Sequence, residues 1–267
     1  MKSIDGIGLA DVTSAYGGPQ GDLYELLLGQ QLHVGGMRAS VALAERAGIG
    51  TGLRGTDLCC GTGGGMRALL RFRNVASMVG VDVTKRNIER GRQRCCEEGL
   101  ADRVAFVVAD ACRSGLAAAS ADFVWGEDAW CYVADKPTLI AEAARLVRPG
   151  GVIAFTDWVE GPAGLSDVEA QQCLRLMSFA NIEDSAGYVR LISKSGCEVQ
   201  AAEDTGHLPQ WFDLALKMIE TQFTYDVLAT VGFRTAVLNL ISDNFRFLGD
   251  LSCQGKIIQA RFIARRI

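Results

Sequence analysis

The sequence predicts an α/β protein built on a doubly wound, mostly parallel sheet. Short apolar runs alternate with helical patterns through the middle of the chain, which is typical of strand–helix–strand units. The 267 residues are 49% hydrophobic and 22% charged, so the chain can bury a large core and is not disordered. Its five prolines form no linker-like stretch, which favours one domain over 1–267.

Strands are predicted where apolar runs are bounded by glycine, proline or polar turn residues. In chain order they cover 56–59, 77–82, 104–108, 122–125, 152–156, 197–200 and 256–263. Helices are expected from about Met66, after an N-cap at Thr84, and over about 184–195. A further helix has clear start and stop signals. Asp135 can cap its N-terminus, Pro137 fits its first turn, and Pro149-Gly150-Gly151 ends it.

Composition excludes several classes of partner. Lys and Arg total 27 against 31 Asp and Glu, so the net charge of −4 argues against a nucleic-acid-binding protein. The sequence contains no run of 18 apolar residues and no signal-peptide pattern at its start. We therefore expect a cytoplasmic protein with neither a nucleic-acid nor a membrane partner.

The nine cysteines suggest neither a disulfide framework nor a metal site. Their number is odd, no CxxC occurs, and only His33 and His207 accompany them. We expect reduced thiols and no metal. The cysteines are at 59, 60, 95, 96, 112, 131, 173, 197 and 253.

A glycine cluster follows the first predicted strand. Gly61-Thr62-Gly63-Gly64-Gly65 would let a ligand approach the backbone and the first N–H groups of the next helix. The dinucleotide pattern G-x-G-x-x-G would require glycine at Met66, which weakens the reading as an NAD-dependent reductase.

Acidic residues end three successive strands. Asp57 lies at the end of the first, Asp82 closes the second, and Asp110 follows the third. The carboxyl ends of parallel strands meet at one sheet edge, so these acids should line one crevice, where Asp82 could accept both ribose hydroxyls. Together they predict a nucleoside-containing cofactor.

These segments, with Arg148-Pro149-Gly150-Gly151, resemble the motifs of class I S-adenosylmethionine-dependent methyltransferases over roughly 16–267. The resemblance implies a Rossmann-like, seven-stranded sheet with an antiparallel last strand, and S-adenosyl-L-methionine as cofactor. Cys59 stands where the family usually has glycine. The implied cofactor contacts are the methionine-binding Asp57, Gly61 and Gly63, the ribose-binding Asp82 with Val83, the adenine-binding Asp110 with Ala111, and Glu127.

The flanking segments narrow the resemblance to phosphoethanolamine and sarcosine/dimethylglycine N-methyltransferases. Tyr16, Tyr24, the segment around His33, and 125–132 carry it. It implies that Tyr16 closes over the cofactor and pairs with position 132, where the phosphoethanolamine enzymes have histidine and this chain has Tyr132. It also implies cofactor contacts for Tyr24 and His33, although His33 could equally be a hydrogen-bonded structural residue.

The resemblance implies an N-terminal helical cap (1–50), a cofactor-binding core (51–159), and substrate lids at 160–182 and 208–250. An amine is the favoured acceptor, with Tyr16, Asp128 and Tyr132 as catalytic residues: Asp128 would contact the substrate and the tyrosines would orient the nucleophile. No residue stands out as the general base. Apolar side chains from the lids and their neighbours could form an aromatic cage or ordinary packing. They are Trp130, Trp158, Met177, Phe179, Trp211 and Phe212.

Other readings stay open. The chain could methylate oxygen or carbon in a natural product or quinone, or bind the cofactor without catalysis. Phosphoethanolamine is not expected as substrate, because 160–182 offers only Arg175 and 248–254 offers no basic residue for its phosphate. The expected partner is a small-molecule substrate, and a homodimer is left open.

Overall fold

The computed structural model describes residues 1–267. Nine strands form: β1 (Lys2–Ser3), β2 (Arg54–Leu58), β3 (Ser77–Asp82), β4 (Val104–Val108), β5 (Ala121–Glu127), β6 (Val147–Glu160), β7 (Asn181–Ile182), β8 (Cys197–Asp204) and β9 (Ile257–Arg266). Eleven α-helices form: α1 (Leu9–Gly17), α2 (Pro19–Leu28), α3 (Gly36–Arg46), α4 (Gly64–Phe72), α5 (Lys85–Glu97), α6 (Lys136–Leu146), α7 (Asp167–Met177), α8 (Ser185–Lys194), α9 (Leu208–Glu220), α10 (Thr224–Thr230) and α11 (Thr235–Cys253).

Seven strands make one sheet in the order β4-β3-β2-β5-β6-β9-β8. The pairs among β2 to β6 are parallel, whereas β9 runs antiparallel to both β6 and β8. The fold class and its antiparallel last strand are therefore confirmed. Within the sheet Asp57 pairs with Gly80 on one side and Trp125 on the other, so the first predicted acid lies near the carboxyl end of β2, an interior strand.

Helices cover both faces of the sheet. One face packs against α3, α4 and α5 through side chains such as Leu43, Leu69 and Ile88. The other packs against α6 and α8 through Leu139 and Ile192. Burial on both faces explains why the central strands are apolar almost throughout instead of alternating.

A third apolar cluster lies beyond the carboxyl edge of the sheet. It joins α2, α7, α9 and α11 around Trp158 at the end of β6. The two predicted insertions supply much of it, with α7 and β7 in 160–182 and α9 to α11 in the second. Strand β7 pairs with β1 near the start of the chain, a contact that the sequence did not predict.

Capping and turn residues in the sequence predicted the start of helix α6 correctly and its end incorrectly. The Asp135 side chain accepts a hydrogen bond from the Thr138 N–H at 3.0 Å, and Pro137 lies in the first turn of α6, as predicted. That helix ends at Leu146, before the Pro-Gly-Gly motif, because β6 already begins at Val147. The extra strand residues pair through an irregular register between Ala121 and Phe123 of β5. No helix is both long enough and apolar enough to cross a membrane.

Candidate cofactor and acceptor site

A cleft of about 1240 Å³, part of it open to solvent, lies at the carboxyl ends of β2 to β5 under α1. The parallel register brings the three strand-end acids to its wall, although they are distant in sequence. None of the residues that line the cleft is Lys, Arg or His. Of the residues predicted from sequence, those that line it are Tyr16, Asp57, Gly61, Asp82, Val83, Asp110, Ala111, Glu127, Asp128 and Tyr132.

The glycine loop lets the backbone form part of the cleft wall. Gly61 has φ +53°, and its N–H donates to Asp82 Oδ2 at 2.9 Å. A Cβ at Gly65 would lie 2.3 Å from Glu127 Oε2, so a side chain there would displace this carboxylate. Gly63 differs from expectation: with φ +73° it caps α4 and faces Phe106 behind the loop, and it does not line the cleft.

Asp57 and Asp82 are buried in the cleft wall, whereas Asp110 is exposed at its rim. Asp82 accepts hydrogen bonds from the backbone N–H groups of Gly61 and Thr84, yet burial raises its pKa to about 6. Burial, reinforced by Glu127 and Asp82, raises the pKa of Asp57 well above its usual value. A wall with this charge and no basic side chain favours a ligand that carries positive charge.

Tyr16 and Tyr132 meet at one end of the cleft. The Tyr16 hydroxyl donates to the Tyr132 hydroxyl at 2.8 Å, and the rings pack edge to face with centroids 5.2 Å apart. Burial raises both pKa values well above the usual value of tyrosine, so both phenols stay protonated. Because position 132 is not histidine, the dyad of the phosphoethanolamine enzymes could not be carried over whole from the resemblance; the structure joins the two tyrosine hydroxyls directly.

Asp128 stands in a backbone conformation that few residues other than glycine adopt, with φ +50°. Its Oδ2 accepts from the Val34 N–H at 2.9 Å, and the Gln259 amide donates to Oδ2 at 2.7 Å and to Oδ1 at 2.9 Å. The carboxylate is thus partly occupied by protein groups. Gln259 was missed, although a glutamine within the apolar run of β9 was a usable signal.

His33 and Tyr24 do not line the cofactor cleft, contrary to expectation. The buried His33 ring lies 3.1 Å from the Val34 carbonyl oxygen through Nδ1 and 3.0 Å from Ser40 Oγ through Nε2. The Tyr24 hydroxyl accepts from Gln20 at 2.7 Å. His33 Nε2 also lies 3.3 Å from Oε1 of Glu127, so His33 contacts a carboxylate of the cleft wall without lining the cleft itself. Tyr24 belongs to the cavities behind the tyrosine pair.

Two further cavities continue from the cleft. The inner chamber, about 360 Å³, lies behind Tyr16 and Tyr132, and Asp128 also lines it. The outer chamber, about 880 Å³ with its solvent-open mouth included, lies between α2 and helices α7 and α9 to α11. Tyr24, Trp158, Met177 and Trp211 line both chambers.

The predicted substrate residues divide between these chambers and the core. Trp158, Met177 and Trp211 line both chambers, Phe179 lines the inner one and Phe212 the outer one. Trp130 was placed wrongly: it is fully buried, stacks on Phe155 with centroids 4.0 Å apart, and donates to the Leu58 carbonyl. Its size made it resemble a lid residue in sequence, whereas its turn carries it under the sheet edge.

A buried polar network fixes the turn that carries Tyr132. The Lys136 ammonium donates to the carbonyl oxygens of Cys131 and Val133 and to Asn181 Oδ1, at 3.2, 2.5 and 2.8 Å. From the other side, Asp157 accepts from the Cys131 N–H at 2.9 Å and from the Tyr188 hydroxyl at 2.5 Å. Burial raises the pKa of Asp157 to about 6, while Lys136 opposes the rise.

The nine cysteines are all free. Cys59, Cys60 and Cys112 line the cleft, and Cys131 is buried beside Tyr132. Burial raises the pKa of Cys112 to about 12 and the pKa of the other three well above the usual value of a thiol, so all four are poor nucleophiles in this state.

Comparison with known proteins identifies the family. A family profile described as "Methyltransferase domain" matches residues 56–155. Methyltransferase GfsG of Streptomyces halstedii is 31% identical over 172 residues, which is 63% of this chain and 61% of that protein. The 27-O-demethylrifamycin SV methyltransferase of Amycolatopsis mediterranei is 29% identical over 209 residues, 71% of this chain and 75% of that protein.

Solved structures share the fold at low identity. A Galdieria sulphuraria protein, provisionally described as a sarcosine dimethylglycine methyltransferase, superposes with a TM-score of 0.83 at 19% identity, covering 93% of this chain and 97% of that one. Phosphoethanolamine N-methyltransferase 2 of Haemonchus contortus, solved with S-adenosylhomocysteine, gives 0.82 at 22%, covering 95% and 58%. The matched domain, the motifs and the shared fold support a class I S-adenosylmethionine-dependent methyltransferase, with S-adenosylmethionine as the cofactor.

Proposed function

We propose that the chain methylates a hydroxyl oxygen of a small molecule that reaches the cofactor from the inner chamber. One observation carries the proposal: Tyr16, Asp128 and Tyr132 line both the cofactor cleft and the inner chamber. Methyl transfer requires the acceptor atom, the methyl carbon and the sulfur in line. The wall shared by the two cavities is where such an alignment can be made.

The residues of the cleft fit S-adenosylmethionine. Gln31 Oε1 is buried without a protein partner and lines the cleft, so it can accept a hydrogen bond from the ammonium group beside Asp57 and Glu127. We assign Asp82 to the ribose hydroxyls and Asp110 to the adenine amino group, because both line the cleft at the carboxyl ends of their strands. S-adenosylmethionine, when bound, supplies a methyl group on a sulfonium sulfur, and its transfer to a hydroxyl leaves S-adenosylhomocysteine and a proton.

Asp128 is the residue that we assign to receive this proton. Tyr16 and Tyr132 are held protonated and can only orient the acceptor, and both ring nitrogens of His33 have protein partners. Gln259 is the hydrogen-bond partner of Asp128 Oδ1, which leaves that oxygen a further lone pair. The strained backbone of Asp128 fits a functional role, because such strain persists where neighbouring contacts hold it.

The absence of basic side chains in the chambers argues against the anionic acceptors named for the structural neighbours. Sarcosine and dimethylglycine carry a carboxylate, and phosphoethanolamine carries a phosphate. Neither chamber is lined by Lys or Arg, so these anions would be buried without a counter-charge.

A neutral amine is the second candidate acceptor. It is favoured by the aromatic rings of Tyr16, Tyr24 and Trp158 around the inner chamber, which would stabilise the ammonium product. Asp128 would then accept the ammonium proton in place of a hydroxyl proton.

Asp128→Asn tests the assignment, because it keeps the shape and removes the base. We expect kcat to fall about 100-fold on a hydroxylated acceptor, while the Kd of S-adenosylmethionine changes by less than about threefold. Radiolabelled methyl transfer to a panel of phenols, alcohols, amines and thiols would identify the acceptor first. Asp122→Asn at the far end of β5 is the matched control.

Three results would count against the proposal. Failure of wild-type protein to methylate any compound while it binds S-adenosylmethionine would refute catalysis of this kind. If the wild-type protein methylated amines faster than hydroxyls, the proposed acceptor atom would be nitrogen instead of oxygen. An Asp128→Asn variant within twofold of wild-type kcat would remove Asp128 from the mechanism.

A further inference from the structure

We infer that the outer chamber binds the uncharged, apolar body of the acceptor, so that the substrate class is a neutral, largely hydrophobic molecule of drug-like size. This inference rests on the proposed function, because it assigns the part of the acceptor that does not react. The chamber, about 880 Å³ with its solvent-open mouth included, is lined mainly by apolar and aromatic side chains, as ligand sites commonly are.

The wall of the outer chamber has no charge. Eleven of its fifteen lining residues are hydrophobic, and none is Asp, Glu, Lys, Arg or His. A charged substituent placed there would lose its hydration and gain no ion pair, which costs several kcal/mol. An apolar surface would be removed from water at a gain of roughly 25 cal/mol per Å².

Much of the apolar surface is aromatic. Trp211 packs edge to face against Trp158 and Phe212, with centroids 6.2 and 4.9 Å away, and Phe245 lies 5.9 Å from Trp211. Rings in such arrangements present broad, rigid faces to a flat or cyclic ligand.

Few polar groups interrupt this wall. The Gln20 amide donates to the Tyr24 hydroxyl at 2.7 Å, and the Thr230 hydroxyl donates to the Asp226 carbonyl at 2.9 Å. Asn244 of α11 adds a half-buried side-chain amide. This pattern suits a hydrophobic body that carries an isolated carbonyl or hydroxyl group.

The outer chamber is continuous with the reacting end. Trp158 and Met177 line it together with the inner chamber, where Asp128 lies, so the two cavities adjoin and only the narrow inner chamber separates the outer one from the tyrosine pair. The outer chamber shares no lining residue with the cofactor cleft. Occupation of the chamber and binding of the cofactor can therefore be perturbed separately.

Two neighbouring positions on α11 allow a matched test. Ile241 lines the outer chamber, whereas Leu240 is 58% exposed on the surface of the same helix. Ile241→Glu places a carboxylate in the chamber, and Leu240→Glu places the same charge in water. Isothermal titration calorimetry with S-adenosylhomocysteine present would measure the binding of 17β-estradiol, 4-hydroxybiphenyl and 2-naphthol, each beside its sulfate ester.

We expect at least one neutral probe to bind, and its sulfate ester to bind at least about tenfold more weakly. Ile241→Glu should weaken the neutral probe at least about tenfold, and Leu240→Glu less than about twofold. Both variants should keep wild-type affinity for S-adenosylmethionine, which also reports that they fold.

The inference is wrong if no neutral probe binds, if sulfate esters bind equally well, or if both glutamate variants behave alike. These outcomes leave methyl transfer to small polar acceptors possible, so the proposed function would survive them. Conversely, binding of neutral probes without methyl transfer to any acceptor would overturn the proposed function alone.

Discussion

Replacing Lys136 by methionine would remove a buried ammonium while keeping most of the side-chain volume. The ammonium donates to the Cys131 and Val133 carbonyls and to Asn181, and it lies in the field of Asp157. In the variant these buried oxygens lose the ammonium donor. The free-energy cost of removing them from water remains. Breaking a buried charge pair from one side costs about 3–5 kcal/mol.

This cost can be converted into a melting temperature. An unfolding entropy of about 2.1 cal/mol/K per residue gives roughly 0.56 kcal/mol/K for a chain of 267 residues. The Lys136→Met variant should therefore melt about 5–9 °C below wild type. Because the same turn carries Tyr132, we also expect a lower kcat.

The loss should depend on pH in a defined direction. The pKa of Asp157 is about 6 in the fold, above its value in the unfolded chain, so ionisation of Asp157 weakens the fold as pH rises through this range. Without the Lys136 ammonium, the free-energy cost of ionising Asp157 in the folded protein is larger. The variant should be most destabilised at pH 7 and above, and the deficit should shrink toward pH 5, where Asp157 takes up a proton.

Urea denaturation and thermal melting at pH 5 and pH 7.5 would measure both effects. Lys194→Met, at the exposed end of α8, is the matched control and should change stability by less than about 0.5 kcal/mol. A loss below about 1 kcal/mol for Lys136→Met, or a larger loss at pH 5 than at pH 7.5, would refute the role given to this ammonium.

Two further predictions concern the cofactor and Asp128. The pKa of Asp82, about 6 in the free protein, should fall when cofactor hydroxyls bind its ionised form, so affinity for S-adenosylmethionine should rise about tenfold from pH 5 to pH 7 with release of a proton. Calorimetry in buffers of different ionisation enthalpy would detect that proton, and an unchanged pH slope in Asp82→Asn would contradict the assignment. Gln259→Leu should remove the amide that holds Asp128, costing about 1–3 kcal/mol of stability and lowering kcat with little change in the Kd of S-adenosylmethionine. Recovery of kcat in Gln259→Asn, but not in Gln259→Leu, would separate positioning from packing.

The predictions from sequence were accurate where the signal was local or followed from strand direction. The cap at Asp135 depends on atoms a few residues apart, so it could be predicted from spacing alone. Asp57, Asp82 and Asp110 come together because each ends a parallel strand, and parallel strands end at the same edge.

Predictions failed where the outcome depended on which way a side chain points. Trp130 and Trp158 look alike in sequence, yet the first is packed under the sheet edge and the second lines both chambers. His33 carried a cofactor role from the resemblance, but its ring lies behind the cleft wall, with Nε2 3.0 Å from Ser40 Oγ and 3.3 Å from Oε1 of Glu127, which lines the cleft.

The sequence alone was enough to predict a parallel sheet, the succession of its strands and helices along the chain, and the acidic residues at its carboxyl edge. These features depend on hydrophobic periodicity and on residues close together in sequence. Only the tertiary structure decided what surrounds the reacting atoms. Asp128 and Gln259 lie 131 positions apart, and Lys136 and Asn181 lie 45 apart. The outer chamber needs α2, α9, α10 and α11 packed together. Such contacts follow from how the whole core packs, and no local pattern records that packing.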